Sequence, residues 1–323
     1  MPRMNQDDIA AVISEGAPSV KLERCASWKN CTSSGTGTAP FLLAEPADPA
    51  ELEQLLQIVI PKGIPVRILG AGTNMIGSDR TLDLLFLRLG QNGFSFVRKV
   101  GETCLECGAA LRLASLANAA AEQGLGGLAP LCGIPGTLGG AIRMNAGANR
   151  TEIAQFVREI QGVSLSDGSP YRWSPEEGGW AYRSSPVPKN IAVTKILLEL
   201  PCTVPEEEQD RILAEKQRRA AVTPKGRSAG STFRNPPDQI AGILLERAGC
   251  KGLSCGAFKV SEQHANWIIT AQADSPASEQ DYLSVLLQMK QAVYRESRIE
   301  LQTELCFADT ESERLVKEKW NRN

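Results

Sequence analysis

The stretch from Gly133 to Ala148 restricts what this chain can fold into more than any other part of its sequence. Its sixteen residues include five glycines and a proline, and only Arg143 carries a charge. A run so poor in large side chains cannot build a core, and glycine lets the backbone approach a ligand closely. Exposed backbone N–H groups of this kind bind anions such as a pyrophosphate. The alternative is a glycine-rich loop that only turns the chain between packed elements.

A second glycine turn, from Gly70 to Asn74, follows a predicted strand over 65–69. A dinucleotide-binding fingerprint would need a third glycine at position 75 and a helix directly after it. That position is Met75, and the next residues predict another turn and a new strand over 84–89. The pattern disfavours a Rossmann domain and leaves backbone contact with a phosphate open.

Composition narrows the classes of function. The 323 residues are 42% hydrophobic and 22% charged, as in globular proteins. A net charge of −2 supplies no basic field, so we expect no nucleic-acid partner. No apolar run has the length of a membrane span, so we expect no membrane partner. The first ten residues include Asp7 and Asp8 and lack an apolar signal segment, which favours a cytoplasmic location.

The cysteine and histidine pattern disfavours metal and imidazole chemistry. Nine cysteines are scattered along the chain, and Cys104 and Cys107 form a CxxC without a second one. Both lie in a strand-like run, where this spacing points the side chains to opposite faces. We therefore expect reduced thiols and no metal. Because His264 is the single histidine, proton transfer must depend mostly on carboxylates, hydroxyls or water.

The apolar patterns predict a mixed α+β chain. Asp48 and Pro49 predict the N-cap and first residue of a helix that extends to residue 60. Other helices are predicted near the N-terminus up to about residue 20 and over 111–123, 206–221, 241–248 and 279–297. Further strands are predicted over 41–44, 97–107, 153–165, 191–200, 258–260, 267–269 and 299–307. Residues 25–38 are expected to be irregular, and the break from Pro201 to Pro205 is the best domain boundary.

Several stretches form an ordered series of motifs. They are Gly70–Asn74, Ile134–Gly147, Tyr182–Ser185, Ser228–Pro236, Ala241–Gly252 with Val260–Ile268, and Leu301–Leu305. In this order they resemble the GxGSN, IPGxxGGAxxMNAG, YRxS, SAGSxFKNP, AGxLIExAGxKG with VSxxHANFI, and LEPEV motifs of one family. That family is UDP-N-acetylenolpyruvoylglucosamine reductase, a flavoenzyme of peptidoglycan precursor synthesis. The resemblance spans roughly residues 44–307.

The resemblance implies an α+β fold in which a PCMH-type (vanillyl-alcohol-oxidase-like) FAD-binding fold in two subdomains precedes a C-terminal α/β substrate-binding domain. The implied divisions are an N-terminal segment 1–37, the FAD-binding domain 38–202 with subdomains divided near residue 90, the substrate-binding domain 203–309, and a charged tail 310–323. The short passage from Tyr182 to Leu200 leaves no room for an inserted lobe and resembles the type II variety. We expect a monomer.

The implied reaction uses FAD to pass electrons from NADPH to UDP-N-acetylglucosamine enolpyruvate, which gives UDP-N-acetylmuramate. Charge then develops beside the substrate carboxylate, so the site needs a cation and a proton donor. By resemblance Arg183 is the cation, and its planar fork suits a carboxylate. By the same resemblance Ser231 donates the proton, and Glu304 stabilises the enolic carboxylate by hydrogen bonding. Without the motifs, each would be interpreted as an ordinary loop or surface residue.

The resemblance also implies two sets of binding residues. The FAD set is Gly70, Ala71, Gly72, Thr73, Asn74, Gly133, Ile134, Pro135, Gly136, Thr137, Gly139, Gly140, Asn145, Ala146 and Gly147. The UDP-sugar set is Arg234, Asn235, Lys259, His264 and Asn266. Within the second set, the first three are candidates for the diphosphate, and Arg218 and Arg219 are weaker ones.

The sequence departs from the family pattern at a few positions, and two other functions stay open. Asn149 and Arg150 replace a tyrosine and a glycine, Arg234 replaces a lysine, and Cys306 stands where an arginine is usual. One alternative is a PCMH-type FAD oxidase of an alcohol or hydroxy acid. The other is a non-catalytic relative that binds a UDP-sugar or flavin.

Overall fold

A computed structural model of the chain describes residues 4–271 and 275–317. The chain forms two compact units. The first unit consists of the described residues up to Arg24 together with Leu42–Ala71 and Asp83–Ala221. The second unit consists of Cys25–Phe41, Gly72–Leu82 and the described residues from Val222 onward.

The described residues include ten α-helices and seventeen strands. The helices are α1 (Gln6–Gly16), α2 (Trp28–Cys31), α3 (Pro49–Val59), α4 (Gln91–Phe94), α5 (Leu113–Glu122), α6 (Leu138–Met144), α7 (Pro205–Val222), α8 (Ala241–Arg247), α9 (Glu279–Ser297) and α10 (Thr310–Lys317). The strands are β1 (Lys21–Ala26), β2 (Phe41–Glu45), β3 (Val66–Ile68), β4 (Met75–Ile76), β5 (Leu85–Leu87), β6 (Val97–Lys99), β7 (Cys104–Gly108), β8 (Gly147–Ala148), β9 (Thr151–Glu152), β10 (Val157–Ser164), β11 (Pro170–Trp173), β12 (Ile191–Glu199), β13 (Ser228–Ser231), β14 (Ser254–Cys255), β15 (Phe258–Val260), β16 (Trp267–Thr270) and β17 (Cys306–Phe307).

The first unit contains two sheets with separate cores. One sheet has the order β1-β2-β5-β3, and its β2, β5 and β3 are parallel. Helices α1 and α3 pack in the core of this sheet, and α3 begins as its sequence predicts, because the Asp48 side chain accepts from the Glu51 N–H. The other sheet is antiparallel with the order β11-β10-β12-β7-β6. Helices α5 and α6 bury their apolar faces in its core.

The second unit is built on an antiparallel sheet of order β13-β16-β15-β14. Helix α9 lies against it and buries Tyr282, whose ring meets the ring of Phe258 edge-on at 5.1 Å. Helix α8 shares this core, and a short parallel pair joins β4 to β17. No helix in the described part of the chain is long and apolar enough to cross a membrane.

Two of the sequence predictions need correction, and the charged tail, for which no element is predicted, forms a helix. The irregular structure expected over 25–38 is wrong in part, since residues 25–26 end β1 and 28–31 form α2. The cause is tertiary packing, because the ring of Trp28 stacks on that of Phe41 with centroids 3.8 Å apart. The final strand expected over 299–307 is reduced to β17. The charged tail forms α10 up to Lys317, and its last residues, 318–323, lie outside the described residues.

The close packing at Gly77 gives a test of this fold. A Cβ at Gly77 would lie 2.2 Å from the Thr36 carbonyl oxygen and 2.3 Å from Cγ of Trp28. We expect Gly77→Ala to lower the free energy of unfolding, measured by urea denaturation, by about 2 kcal/mol or more. Gly249→Ala is the control, because that Cβ would meet nothing within 4 Å and the substitution bears only the strain of a φ of +69°. Equal losses in the two variants would contradict the packing described.

Candidate active site

The first half of the glycine-rich stretch leads into a helix. Thr137 is the N-cap of α6, and its hydroxyl accepts from the Gly140 N–H at 3.3 Å. The Leu138 N–H donates to the Leu111 carbonyl at 2.7 Å, and the Gly139 N–H donates to the Ala109 carbonyl at 2.8 Å. Residues 138–144 of this stretch are therefore helical and do not form a loop. The protein itself uses the amides of residues 138–140.

Backbone N–H groups that have no acceptor in the described part of the chain lie near the start of α6. Gly70, two residues after β3, lies against Thr137, since a Cβ on Gly70 would be 3.4 Å from the threonine Oγ1. Among the described residues, the N–H groups of Gly70, Ala71 and Gly136 find no protein acceptor. Two predicted FAD-binding turns thus meet within the first unit and leave backbone donors for an anion. This arrangement fits the diphosphate of a dinucleotide such as FAD.

Helix α7 places a positively charged side chain, that of Arg219, against the glycine-rich stretch. A Cβ on Gly133 would lie 2.5 Å from Cδ of Arg219, so the arginine side chain lies directly on the glycine-rich stretch. Arg219 makes no ion pair with a described residue, and burial lowers its pKa. The sequence ranked Arg219 as a weak candidate for a different phosphate group. No local signal could have found this contact, because it joins residues far apart in the chain.

Arg183 lies in a tight turn of the first unit. Its φ of +54° is in the left-handed region, which is uncommon for a residue with a large side chain. Its Nη2 donates to the Gly147 carbonyl at 3.3 Å, and its Cζ lies 4.9 Å from the centre of the Tyr182 ring. Arg183 is half-buried. The guanidinium is thereby held beside the end of the glycine-rich stretch.

The second unit brings three predicted site residues together. Asn74 Nδ2 donates to the Glu304 carbonyl at 2.9 Å. The Glu304 N–H donates to the Thr232 carbonyl at 2.9 Å, so Glu304 lies on the segment beside the end of β13. Ser231 is the last residue of β13 and directly precedes Thr232. Its hydroxyl is partly exposed and has no hydrogen-bond partner among the described residues, so it is available to a ligand.

Asn266 extends this strand pairing beyond Ser231. Its buried side chain accepts from the Phe233 N–H at 2.9 Å and donates to the Phe233 carbonyl at 2.8 Å. Its own carbonyl accepts from the Thr232 N–H at 2.9 Å. The side chain of Asn266 thus pairs with both backbone groups of Phe233, which the sequence did not anticipate.

The remaining predicted UDP-sugar residues lie in the same unit. Arg234 is half-buried, and its Nε is buried without a partner among the described residues. Asn235 accepts from the Ala241 N–H at 3.0 Å at the start of α8. Lys259 lies in β15 and is partly exposed, with no ion pair to a described residue. His264 accepts from the Asn266 N–H through Nδ1 at 3.2 Å, which leaves its Nε2 to bear the proton.

The cysteines are all free thiols. Cys104 and Cys107 lie in β7, and burial raises the pKa of Cys107 to about 12, which keeps this thiol protonated and inert. Among residues 4–271 and 275–317, no cluster of three or more histidine, cysteine or acidic side chains is placed to hold a metal ion.

Comparison with known families covers most of the chain. Residues 40–173 match the FAD binding domain, and residues 222–308 match the C-terminal domain of UDP-N-acetylenolpyruvoylglucosamine reductase. UDP-N-acetylenolpyruvoylglucosamine reductase 2 of Symbiobacterium thermophilum is 36% identical over 287 residues, which cover 88% of this chain and 91% of that protein. The same-named protein of Methylorubrum extorquens is 38% identical over 231 residues, covering 71% and 73%.

A solved structure agrees with these relatives. The UDP-N-acetylenolpyruvylglucosamine reductase of Thermus caldophilus superimposes with a TM-score of 0.75 at 31% identity, and the match covers 89% of this chain and 99% of that one. The expected fold class is confirmed as an α+β protein with a PCMH-type FAD-binding fold and a C-terminal domain. The domain boundaries stay a prediction.

The two hydrogen bonds between the Asn266 side chain and the Phe233 backbone, called the clamp below, give a testable prediction. Asn266→Ala removes two buried hydrogen bonds and leaves their partners without one. We expect it to lower the free energy of unfolding by about 2 to 3 kcal/mol in urea denaturation. Asn235→Ala is the control in the same unit, since its side chain is exposed and accepts one bond at a helix start, for an expected loss of about 1 kcal/mol. A loss no larger for Asn266→Ala than for Asn235→Ala would contradict the clamp.

The single histidine predicts a pH effect on stability. Burial lowers the pKa of His264 below its ordinary value of 6.5, and Lys251 adds to this while Glu246 opposes it. The unfolded chain therefore binds the proton at a higher pH, so His264 costs stability as the pH falls from about 7 through its folded pKa. We expect wild type to lose more stability than His264→Asn, which keeps an acceptor for the Asn266 N–H, between pH 7 and pH 5. Parallel stability curves for the two proteins would contradict this prediction.

Proposed function

The chain belongs to the UDP-N-acetylenolpyruvoylglucosamine reductase family, and we propose that it reduces UDP-N-acetylglucosamine enolpyruvate to UDP-N-acetylmuramate with NADPH in peptidoglycan precursor synthesis. The observation that best supports this reaction is the placement of Ser231, with an unpartnered hydroxyl, beside the segment that contains Glu304. The named relatives favour this reaction over the oxidase alternative. The proposal includes a monomeric protein of the cytoplasm.

The fit of FAD rests on the first unit. The open N–H groups of Gly70, Ala71 and Gly136 and the cation of Arg219 would hold its diphosphate. Bound FAD supplies the transfer of electrons from the reductant to the substrate double bond. We propose that the rest of the glycine-rich stretch positions these donors, because its own amides are used by α6.

Reduction of the substrate requires a cation, a proton donor and a hydrogen bond to the enolic carboxylate from the protein. Reduction of an enol ether carboxylate develops negative charge on the carbon that bears the carboxylate. We propose that the Arg183 guanidinium binds this carboxylate through parallel hydrogen bonds. The Ser231 hydroxyl donates the proton that the carbon receives, and a positioned donor is effective here because the carbanion is a strong base. Glu304 stabilises the enolic carboxylate by hydrogen bonding.

The UDP part of the substrate would be bound in the second unit. Arg234 and Lys259 supply positive charge without ion pairs to described residues, which suits a diphosphate. Asn235 is already an acceptor for α8, so it would contribute through its amide N–H groups. His264 presents a neutral ring near the same strands, because burial lowers its pKa.

Product analysis tests the proposal. The purified protein, reconstituted with FAD and supplied with NADPH and UDP-N-acetylglucosamine enolpyruvate, should give a product heavier than the substrate by two hydrogen atoms in mass spectrometry. The same mixture without the protein is the control. Consumption of NADPH that does not depend on the substrate, with no new product, would contradict the proposed function.

The proposed donor predicts a selective defect. Ser231→Ala should keep flavin reduction by NADPH close to that of wild type and slow substrate-dependent flavin reoxidation by about a hundredfold or more. Ser228→Ala, three residues earlier in the same strand, should slow neither half-reaction. Anaerobic stopped-flow absorbance measures both. Equal slowing of the two half-reactions in Ser231→Ala would remove this residue from the donor role.

A further inference from the structure

Asn145 is one of the few fully buried polar residues of the described chain, with 0% of its surface exposed. It follows α6 directly and has φ 42° and ψ 58°, in the left-handed region. Asparagine tolerates this conformation better than most residues do, and it ends helices for that reason. The backbone thereby turns sharply and directs the side chain inward. A buried amide in such a place must find partners for its donors and its acceptor.

The Asn145 side chain satisfies its groups with three different segments. Nδ2 donates to Oε2 of Glu152 at 2.8 Å and to the Ala181 carbonyl at 3.0 Å. Oδ1 accepts from the Ala154 N–H at 3.3 Å. Both N–H groups and the oxygen of the amide are therefore paired within the protein.

One of these contacts holds the turn that contains Arg183. Ala181 and Ser184 exchange backbone hydrogen bonds at 3.2 Å and 2.9 Å, which closes the turn around residues 182 and 183. The Arg183 guanidinium donates to the Gly147 carbonyl, and Gly147 in β8 pairs with Glu152 in β9. The backbone of the turn and the tip of Arg183 are thus both tied to the hairpin that Asn145 also binds.

A different residue holds the chain after the turn. Arg143 donates to the carbonyls of Val187, Pro188 and Ile191 at 2.6 to 2.8 Å. These bonds to the later segment come from Arg143 and not from Asn145. The contact between Asn145 and Ala181 is specific to the turn.

We infer that Asn145 is a positioning residue for Arg183: its hydrogen bond to the Ala181 carbonyl fixes the strained turn from which the guanidinium meets the substrate carboxylate. This inference rests on the proposed function for its effect on the reaction. It assigns Asn145 no contact with FAD or substrate. The Asn145–Glu152 hydrogen bond stabilises the fold at the β8–β9 hairpin, and the Asn145–Ala181 hydrogen bond positions the turn of Arg183.

Three variants separate the two bonds. Asn145→Asp places a carboxylate against Glu152 and removes the donor to Ala181. Glu152→Gln keeps an acceptor for Asn145 and provides the background. In the double variant Asn145→Asp/Glu152→Gln, the glutamine amide donates to the new aspartate, so the bond between positions 145 and 152 is restored. The Ala181 carbonyl then keeps the Ser184 N–H as its donor but still lacks the side-chain donor from position 145.

The expected result is a split between stability and substrate recognition. The double variant should recover most of the melting temperature that Asn145→Asp loses. Its KM for UDP-N-acetylglucosamine enolpyruvate should stay raised roughly ten- to hundredfold over that of Glu152→Gln. A KM that returns to the Glu152→Gln value together with stability would overturn the inference.

A readout without turnover separates this inference from the proposed function. Backbone amide exchange of the segment around residues 181–185, followed by mass spectrometry, should be faster in the double variant than in Glu152→Gln. Unchanged exchange would overturn the inference even in a protein that reduces the substrate. Faster exchange in a protein whose wild type fails to reduce the substrate would support the role of Asn145 in the turn and contradict only the proposed function.

Discussion

The amide of one buried asparagine, Asn145, joins the end of the glycine-rich stretch to the turn of Arg183. Its three hydrogen bonds link the C-terminal end of α6, the β8–β9 hairpin and the Ala181 carbonyl. A buried amide costs free energy unless all its groups are paired, so the three segments must keep their arrangement together. The glycine-rich stretch therefore does two things. Its start presents open backbone donors, and its end positions a cation.

In the second unit too, a buried asparagine side chain holds a backbone segment in place by hydrogen bonds. Asn266 pairs its side chain with both backbone groups of Phe233 and thus continues the strand pairing where the backbone ladder of β13 has ended. The Ser231 hydroxyl takes no part in this pairing and has no hydrogen-bond partner among the described residues. In both units the side chain of an asparagine from a predicted binding motif is hydrogen-bonded to other parts of the protein. Such a residue acts through the backbone it fixes.

Much of the fold could be predicted from local signals, and the failures have a common cause. Asp48 and Pro49 predict α3 because capping and proline geometry are local properties. The helix inside the glycine-rich stretch could not be predicted, since contacts with Ala109 and Leu111 decide it against the low helix propensity of glycine. Prediction of the candidate site would require tertiary contacts even more than prediction of the fold does. Spacing in the sequence does not bring Glu304 beside the end of β13, and only the resemblance placed them in one site.

The proposed reaction requires that this chain pass electrons from a bound flavin to an enolpyruvyl double bond. The most direct test reduces the FAD-loaded protein with one equivalent of NADPH without oxygen and then mixes it with UDP-N-acetylglucosamine enolpyruvate in a stopped-flow instrument. We expect the absorption of oxidised flavin to return in a single turnover, with one equivalent of UDP-N-acetylmuramate formed. Flavin that stays reduced in the presence of this substrate and is reoxidised only by oxygen would contradict it.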